Sequence, residues 1–184
     1  MATPVLVIFD FDGTIATLPV DWYGLKQRLL WFLHEQGVER TSLTFWKDIE
    51  QIKRQLSPAA LEEAYRCIEG YEHPAVPQME VNEKAIKYLK DVVAAGGKAA
   101  ICSNNMTSTV RMGLERFGLK KSVAMVVGLD SVGRLKPHPE GVLKILRELR
   151  VSASDALFIG DSGFDEEAAR SAGVRFIHVD TVAR

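Results

Sequence analysis

The chain has 184 residues, 47% of them hydrophobic and 26% charged, the mix of a folded protein with one domain or one domain carrying an insertion. Lys and Arg number 23 against 24 Asp and Glu, a formal net charge of −1. That balance excludes a dedicated nucleic-acid binder, which carries a basic surplus, but leaves small phosphorylated molecules open, since they need only local positive charge. Cys67 and Cys102 are too few for a disulfide framework and read as two buried thiols in a reducing compartment. No apolar run nears the roughly 18 residues of a membrane span, and the stretch 5–9 is shorter than a signal-peptide core. The reading is a cytoplasmic protein with no membrane partner.

The first apolar run, residues 5–9, has strand length and leads directly into Asp10. From about Thr17 to Gln78 there is no strand pattern, only helical periodicity. Trp22, Leu25, Leu29 and Phe32 form one stripe, which ends at Gly37. Phe45, Ile49, Ile52 and Leu56 form a second, and Ser57-Pro58 can cap and start a third helix that stops near Gly70. His73-Pro74-Ala75-Val76-Pro77 reads as a connector. Ile86, Leu89 and Val93 mark the next helix, stopped by Gly96-Gly97. Strand-length runs follow at 98–102, 123–127, 156–159 and 175–179, most of them β-branched, as suits a sheet buried on both faces. Between them, Val110, Leu114 and Phe117 mark a helix stopped by Gly118, and Val142, Leu146 and Leu149 mark another behind Pro139. An Ala-rich helix ends at Gly173. Strands alternating with helices imply right-handed crossovers and a mostly parallel sheet, so the expected fold class is α/β. An all-helical unit of roughly 60 residues is inserted after its first strand.

Asp10-Phe11-Asp12-Gly13-Thr14 stands at the carboxyl end of the first strand, where open parallel sheets bind ligands. Two carboxylates so close repel each other unless a cation or hydrogen bonds relieve them. A calcium loop would need Gly at its sixth position and Glu at its twelfth, where Ile15 and Asp21 stand. Ser103-Asn104-Asn105, before a helix starting near Thr107, can cradle a phosphate with a hydroxyl and backbone N–H groups, although such residues also serve as plain turn formers. The prolines of Lys136-Pro137-His138-Pro139 stiffen a loop and so can fix where the Lys136 ammonium points. The letters Gly160-Asp161-Ser162-Gly163 match the nucleophile segment of trypsin-like proteases, but those are all-β, which the alternation here excludes. Asp161 instead ends a strand on the same sheet edge as Asp10 and Asp12. The four histidines form no pair at metal-ligand spacing on a helix and read as structural or surface groups.

Taken in order, Asp-x-Asp-Gly-Thr from Asp10, Ser103 after a second strand, Lys136-Pro137 before a helix and Gly-Asp-Ser-x-x-Asp from Gly160 resemble the four motifs of the haloacid dehalogenase-like superfamily. The resemblance implies a Rossmann-like parallel sheet of order 5-4-1-2-3 with an inserted all-helical cap. The cap is of the superfamily's type one and takes residues 17–78; residues 1–16 and 79–184 form the catalytic core. It also implies a hydrolase of the phosphoglycolate phosphatase type, since the dehalogenase branch lacks the second Asp of the first motif and Asp12 is present. By resemblance Asp10 is the nucleophile, Asp12 the general acid and base, and Lys136 a catalytic cation. Ser103, the Asn104 N–H and Lys136 bind the phosphoryl oxygens. The implied cofactor is Mg²⁺, held by Asp10, Asp161 and the Asp12 backbone carbonyl, with Asp165 in direct or outer contact. Such oxygen-only ligands suit Mg²⁺ better than Zn²⁺. The partner is then a small phosphorylated metabolite rather than nucleic acid or membrane. In the cap, Trp22, Arg28 and Arg40 offer an aromatic ring and two cations to a leaving group. Two other readings share parts of the pattern. A phosphomutase uses the same core to pass the phosphoryl group to a sugar hydroxyl. A receiver domain also holds a phosphorylatable Asp, Mg²⁺ and a Lys, but on a later strand and without a cap.

Overall fold

The computed structural model describes residues 5–182, apart from the side chains of residues 45–47. In chain order the strands are β1 (Leu6–Phe9), β2 (Ala16–Thr17), β3 (Glu80–Val81), β4 (Lys98–Cys102), β5 (Val123–Val127), β6 (Ala156–Gly160) and β7 (Arg175–His178). The α-helices are α1 (Trp22–Glu35), α2 (Phe45–Gln55), α3 (Pro58–Glu72), α4 (Glu83–Ala94), α5 (Thr107–Arg116), α6 (Glu140–Leu149), α7 (Gly163–Ser171) and α8 (Val179–Val182). Five strands form one parallel sheet in the order β5-β4-β1-β6-β7. Counting only these five and reading from β7, the order is 5-4-1-2-3, as the resemblance implies.

The central strands β4, β1 and β6 are buried on both faces because they are apolar on both, while the edge strands β5 and β7 are only half-buried. In β1, Val7 and Phe9 point to one side and pack with Leu89 of α4 and Val110 and Leu114 of α5. Leu6 and Ile8 point to the other and pack with Val142 and Ile145 of α6 and Ala168 and Ala169 of α7. Ile8 sits opposite Ala100 on one neighbour and Phe158 on the other, so β1 is the centre of the sheet. Its carboxyl end is therefore flanked by two further strand ends, which is what creates a cleft there.

Helices α1 to α3 share their own apolar core, built from the expected stripes Leu25, Leu29 and Phe32, and Ile49 and Ile52, with Ala64 and Ile68 of α3. The side chain of Phe45, assigned to the second stripe, lies outside the described residues. Ser57 caps α3 by accepting from the Ala60 N–H at 3.2 Å, with Pro58 in the first turn. Met106, Leu129 and Leu135, from loops at the sheet's edge, are buried in this same cluster, so the helical segment sits on those loops. Polar contacts tie it down further. The Lys53 ammonium of α2 donates to the Leu129 and Val132 carbonyls at 2.5 and 2.8 Å, and the Glu50 carboxylate accepts the Leu135 N–H at 3.2 Å.

Three features depart from the sequence expectations. Ala16–Thr17 and Glu80–Val81 form an antiparallel ladder, so a strand reaches Thr17 at the edge of the stretch read as strand-free. Strands of two residues are too short to show a period. Helix α3 passes through Gly70 to Glu72, because one helical glycine costs only about 1 kcal/mol. The expected connector is a 3₁₀ helix, His73–Gln78, whose Ala75 and Val76 are buried in the sheet's core. Cys67 and Cys102 are free thiols, Cys102 buried and Cys67 half-buried. Among the described residues no helix is long and apolar enough to cross a membrane.

Candidate active site

Four segments bring the site together at the carboxyl edge of the sheet. The chain leaves β1 at Asp10, and the fully buried Phe11 anchors the turn that follows. Phe11's carbonyl accepts the N–H groups of Ile15 and Ala16 at 2.9 and 3.1 Å, which folds Asp12 back over the strand end. Gly13 has φ +86°, a left-handed conformation that favours glycine, and a Cβ there would overlap the Asp161 carboxylate. The close approach of Asp161 to β1 therefore depends on that missing side chain. Asp12 Oδ1 accepts the Leu18 N–H at 2.8 Å, which ties this carboxyl group to the strand leading into the helical segment.

Behind β4, Ser103 Oγ donates to Asn105 Oδ1 at 2.9 Å and accepts the Asn105 N–H at 3.2 Å. The Asn104 side chain clamps the backbone of Lys136, accepting its N–H at 3.0 Å and donating to its carbonyl at 3.1 Å. That clamp aims the lysine. Its Nζ lies 2.6 Å from Asp10 Oδ1 and 2.5 Å from Asp165 Oδ1, in a buried ion-pair triad. Asp165 is held in turn by the first turn of α7, where Ser162 and Asp165 form a capping box. Its Oδ2 accepts the Ser162 N–H at 3.1 Å and hydroxyl at 2.6 Å. His178 Nε2 lies 2.9 Å from the Asp161 backbone carbonyl and supports that turn from β7.

Charge in the site is unbalanced. Burial pushes the Asp10 carboxyl up to about 7, with Lys136 pulling it down and Asp165 adding to the rise. Burial likewise raises Asp12 to about 6 against the opposing Leu18 N–H, and the charge of Asp161 adds to it. Asp161 is raised by burial and then by Asp165. Burial disfavours the charged form of Lys136, but Asp10 and Asp165 outweigh it, so the ammonium's pKa ends above its ordinary value. Four carboxyl groups thus crowd around one fixed cation. One oxygen each from Asp10, Asp161 and Asp165 lie within 4.8 Å of one another. A crowded, oxygen-only donor set of this kind fits a hard divalent cation such as Mg²⁺.

Asp10, Asp12, Ser103, Asn104, Lys136 and Asp161, all expected from sequence, line one cleft of about 150 Å³. Asp165 stands behind Lys136. The three residues proposed from the helical segment do not join them. Trp22 packs partly buried against the segment's own core. Arg28 lies over the Trp31 ring at 4.3 Å. Arg40 pairs with Asp48 at 2.8 Å and Gln51 at 2.6 Å and lines a separate hollow. In the other direction, the sequence reading passed over the side-chain role of Asn104, the capping role of Ser162 and the buried Glu72 of α3. Glu72 lies in an ordinary-looking amphipathic helix, where no local pattern marks a buried carboxyl group.

The family model for haloacid dehalogenase-like hydrolases matches residues 7–179, and the chain belongs to that family. Pyrophosphatase PpaX of Listeria monocytogenes serotype 4a is 40% identical to it over 170 residues, 90% of this chain and 78% of the relative. Among solved structures, a HAD-superfamily hydrolase of subfamily IA, variant 1, from Geobacter sulfurreducens superposes with a TM-score of 0.62 at 26% identity. That match covers 94% of this chain and 88% of the other. CbbY from Rhodobacter sphaeroides, solved in complex with phosphate, shares the fold with a TM-score of 0.67 at 21% identity, over 95% and 85% of the two chains. The chain is a hydrolase acting on phosphate esters.

Proposed function

We propose that the chain is a cytoplasmic, Mg²⁺-dependent phosphatase that hydrolyses a small phosphate monoester through an aspartyl-phosphate on Asp10. In this reading residues 17–78 are its cap and residues 1–16 and 79–184 its catalytic core. The observation that carries it is the Lys136 ammonium, 2.6 Å from Asp10, in the cleft shared with Asp12, Ser103 and Asp161. The pairing of β2 with β3, where the chain leaves and re-enters the core, supports the division.

Asp10 Oδ attacks phosphorus as the bond to the leaving oxygen breaks. Asp12, raised to about 6, gives its proton to that leaving alkoxide. Water then attacks phosphorus, Asp12 takes its proton, and inorganic phosphate departs with Asp10 restored. Lys136 offsets charge on the phosphoryl oxygens, which Ser103 and the Asn104 N–H help to bind. Asp10, Asp161 and the Asp12 carbonyl would hold Mg²⁺, whose charge lets a carboxylate and a phosphate dianion meet. Both Asp165 oxygens are already engaged, by Lys136 and Ser162, which supports an orienting role outside the direct ligand set.

The cleft's roughly 150 Å³ is about five water volumes, room for a phosphoryl group and a leaving group of few atoms. Inorganic pyrophosphate is a second reading, favoured by the name of the Listeria relative and compatible with the same chemistry. The test is turnover of p-nitrophenyl phosphate, a panel of small monoesters and pyrophosphate after EDTA treatment, with and without Mg²⁺. Turnover should require Mg²⁺, and Asp10→Asn should abolish both turnover and base-labile ³²P labelling. Full activity without metal, or labelling retained in Asp10→Asn, overturns the reading.

A further inference from the structure

Glu72, the last residue of α3, is fully buried, and among the described residues no cation pairs with it. Its Oε1 accepts from Asn105 Nδ2 at 3.0 Å and its Oε2 from the Met106 N–H at 3.1 Å. Thr109 of α5 brings its hydroxyl near the same carboxyl group without completing a hydrogen bond. The helical segment thus reaches, through one acid, into the loop that carries Ser103. We propose that Glu72 is a positioning residue for phosphoryl binding, deciding through Asn105 where the Ser103 hydroxyl sends its proton; this rests on the phosphatase reading above.

A carboxylate only accepts, so ionised Glu72 requires Asn105 to turn its NH₂ toward it and its amide oxygen toward Ser103. That oxygen takes the single Ser103 hydroxyl proton, while the Asn105 N–H occupies a lone pair on Ser103 Oγ. Nothing is left for Ser103 to donate into the cleft. When Glu72 takes up one proton from solvent, the order reverses. Its O–H donates to Asn105 Oδ1, the amide turns over, and Nδ2 donates to Ser103 Oγ. The Ser103 proton is then released to a phosphoryl oxygen, and Met106 keeps its bond to the other Glu72 oxygen.

Both forms are accessible near neutrality, because burial raises the Glu72 carboxyl to about 7 against the hydrogen bonds it accepts. Of the charged groups around it, Asp12 at the end of β1 pushes in the same direction. Glu69 and His73 on its own segment turn instead to the Ser108 hydroxyl of α5, at 2.5 and 3.0 Å. Lys136 is committed to Asp10 and Asp165.

Glu72→Gln tests this, since a Gln amide can donate to Asn105 and accept from Met106 at every pH, as the protonated acid does. KM and kcat for p-nitrophenyl phosphate with Mg²⁺ are compared between the full-length wild type and the variant from pH 5.5 to 8.5. Their ratio cancels the ionisation of the substrate. The wild-type KM should match the variant's at the acid end and exceed it about 5- to 10-fold at the alkaline end, the worth of one hydrogen bond. The kcat values should stay close, because the bond serves ground and transition states alike. Inhibition by inorganic phosphate should follow the KM ratio. Equal KM values throughout, or one constant ratio at all pH values, would overturn the relay. If Glu72→Gln does not fold, Asn105→Ala must flatten the same pH dependence, and a retained dependence overturns the relay. A wild type that hydrolyses no phosphate ester with Mg²⁺ overturns the phosphatase reading itself, a result distinct from turnover with an unchanged KM ratio.

Discussion

Lys136→Met probes the centre of the site through stability rather than turnover. The substitution keeps most of the side-chain volume and removes an ammonium lying 2.6 Å from Asp10 and 2.5 Å from Asp165, both buried. Breaking a buried pair by deleting one partner costs about 3–5 kcal/mol, because the remaining charge stays desolvated. With an m-value near 2 kcal/mol/M in urea, about 4 kcal/mol lowers the unfolding midpoint by about 2 M. The pH dependence gives the mechanism a second check. Lys136 itself stays charged between pH 5 and 8, because its folded pKa is raised above the ordinary lysine value. Asp10, at about 7 beside it, already takes up a proton below pH 7, and without the ammonium that pulls it down its pKa rises further. Wild type and variant then differ in bound protons only above about pH 7, where the variant loses about 1.4 kcal/mol per pH unit relative to the wild type. The deficit should therefore be larger at pH 8 than at pH 5 by about 1 kcal/mol, read by tryptophan fluorescence in urea with EDTA present. A midpoint shift below about 0.5 M at pH 8, or the same shift at both pH values, would refute the reasoning.

Asp12→Asn keeps the backbone carbonyl but loses the group that moves protons, so alkyl phosphate turnover should fall by roughly 10²–10⁴. For p-nitrophenyl phosphate, whose leaving group departs as an anion, a burst of one equivalent of p-nitrophenol should precede slow turnover, as stopped-flow absorbance would record. Gly13→Ala forces a side chain into a position with φ +86° and against the Asp161 carboxylate. It should destabilise the fold by about 1–3 kcal/mol and weaken Mg²⁺ binding, measured by thermal unfolding with and without the ion. The Glu72 carboxyl, raised from 4.5 to about 7, contributes stability below its unfolded value that is lost as pH rises through 7. Glu72→Gln should therefore gain on the wild type by about 3 kcal/mol between pH 4.5 and 8 in urea titrations, and a flat difference would rule this out.

The strands at 98–102 and 123–127 begin and end where their apolar runs do, and α5 starts at the expected Thr107. Such elements are legible because a strand facing helices leaves a short continuous apolar run, even at the half-buried edge where β5 lies, and a helix repeats within four residues. The convergence of Asp10, Ser103 and Asp161 was legible too, by topology alone, since parallel strands put all their carboxyl ends on one edge. What tertiary structure decided is the choice of partner. Lys136 settles between Asp10 and Asp165, 126 and 29 residues away in sequence, because the Asn104 amide grips its backbone. Arg40, which from sequence could have faced a leaving group, is taken up by Asp48 on its own segment. Strands β2 and β3 exist only by pairing with each other across the whole helical segment. Glu72 reads like any other acid of an amphipathic helix until the fold buries it against a loop 33 residues further on. Periodicity reports which face of an element is apolar. It carries no information on ångström-scale distances between segments dozens of residues apart, and those distances select hydrogen-bond partners and decide which acids lose their water.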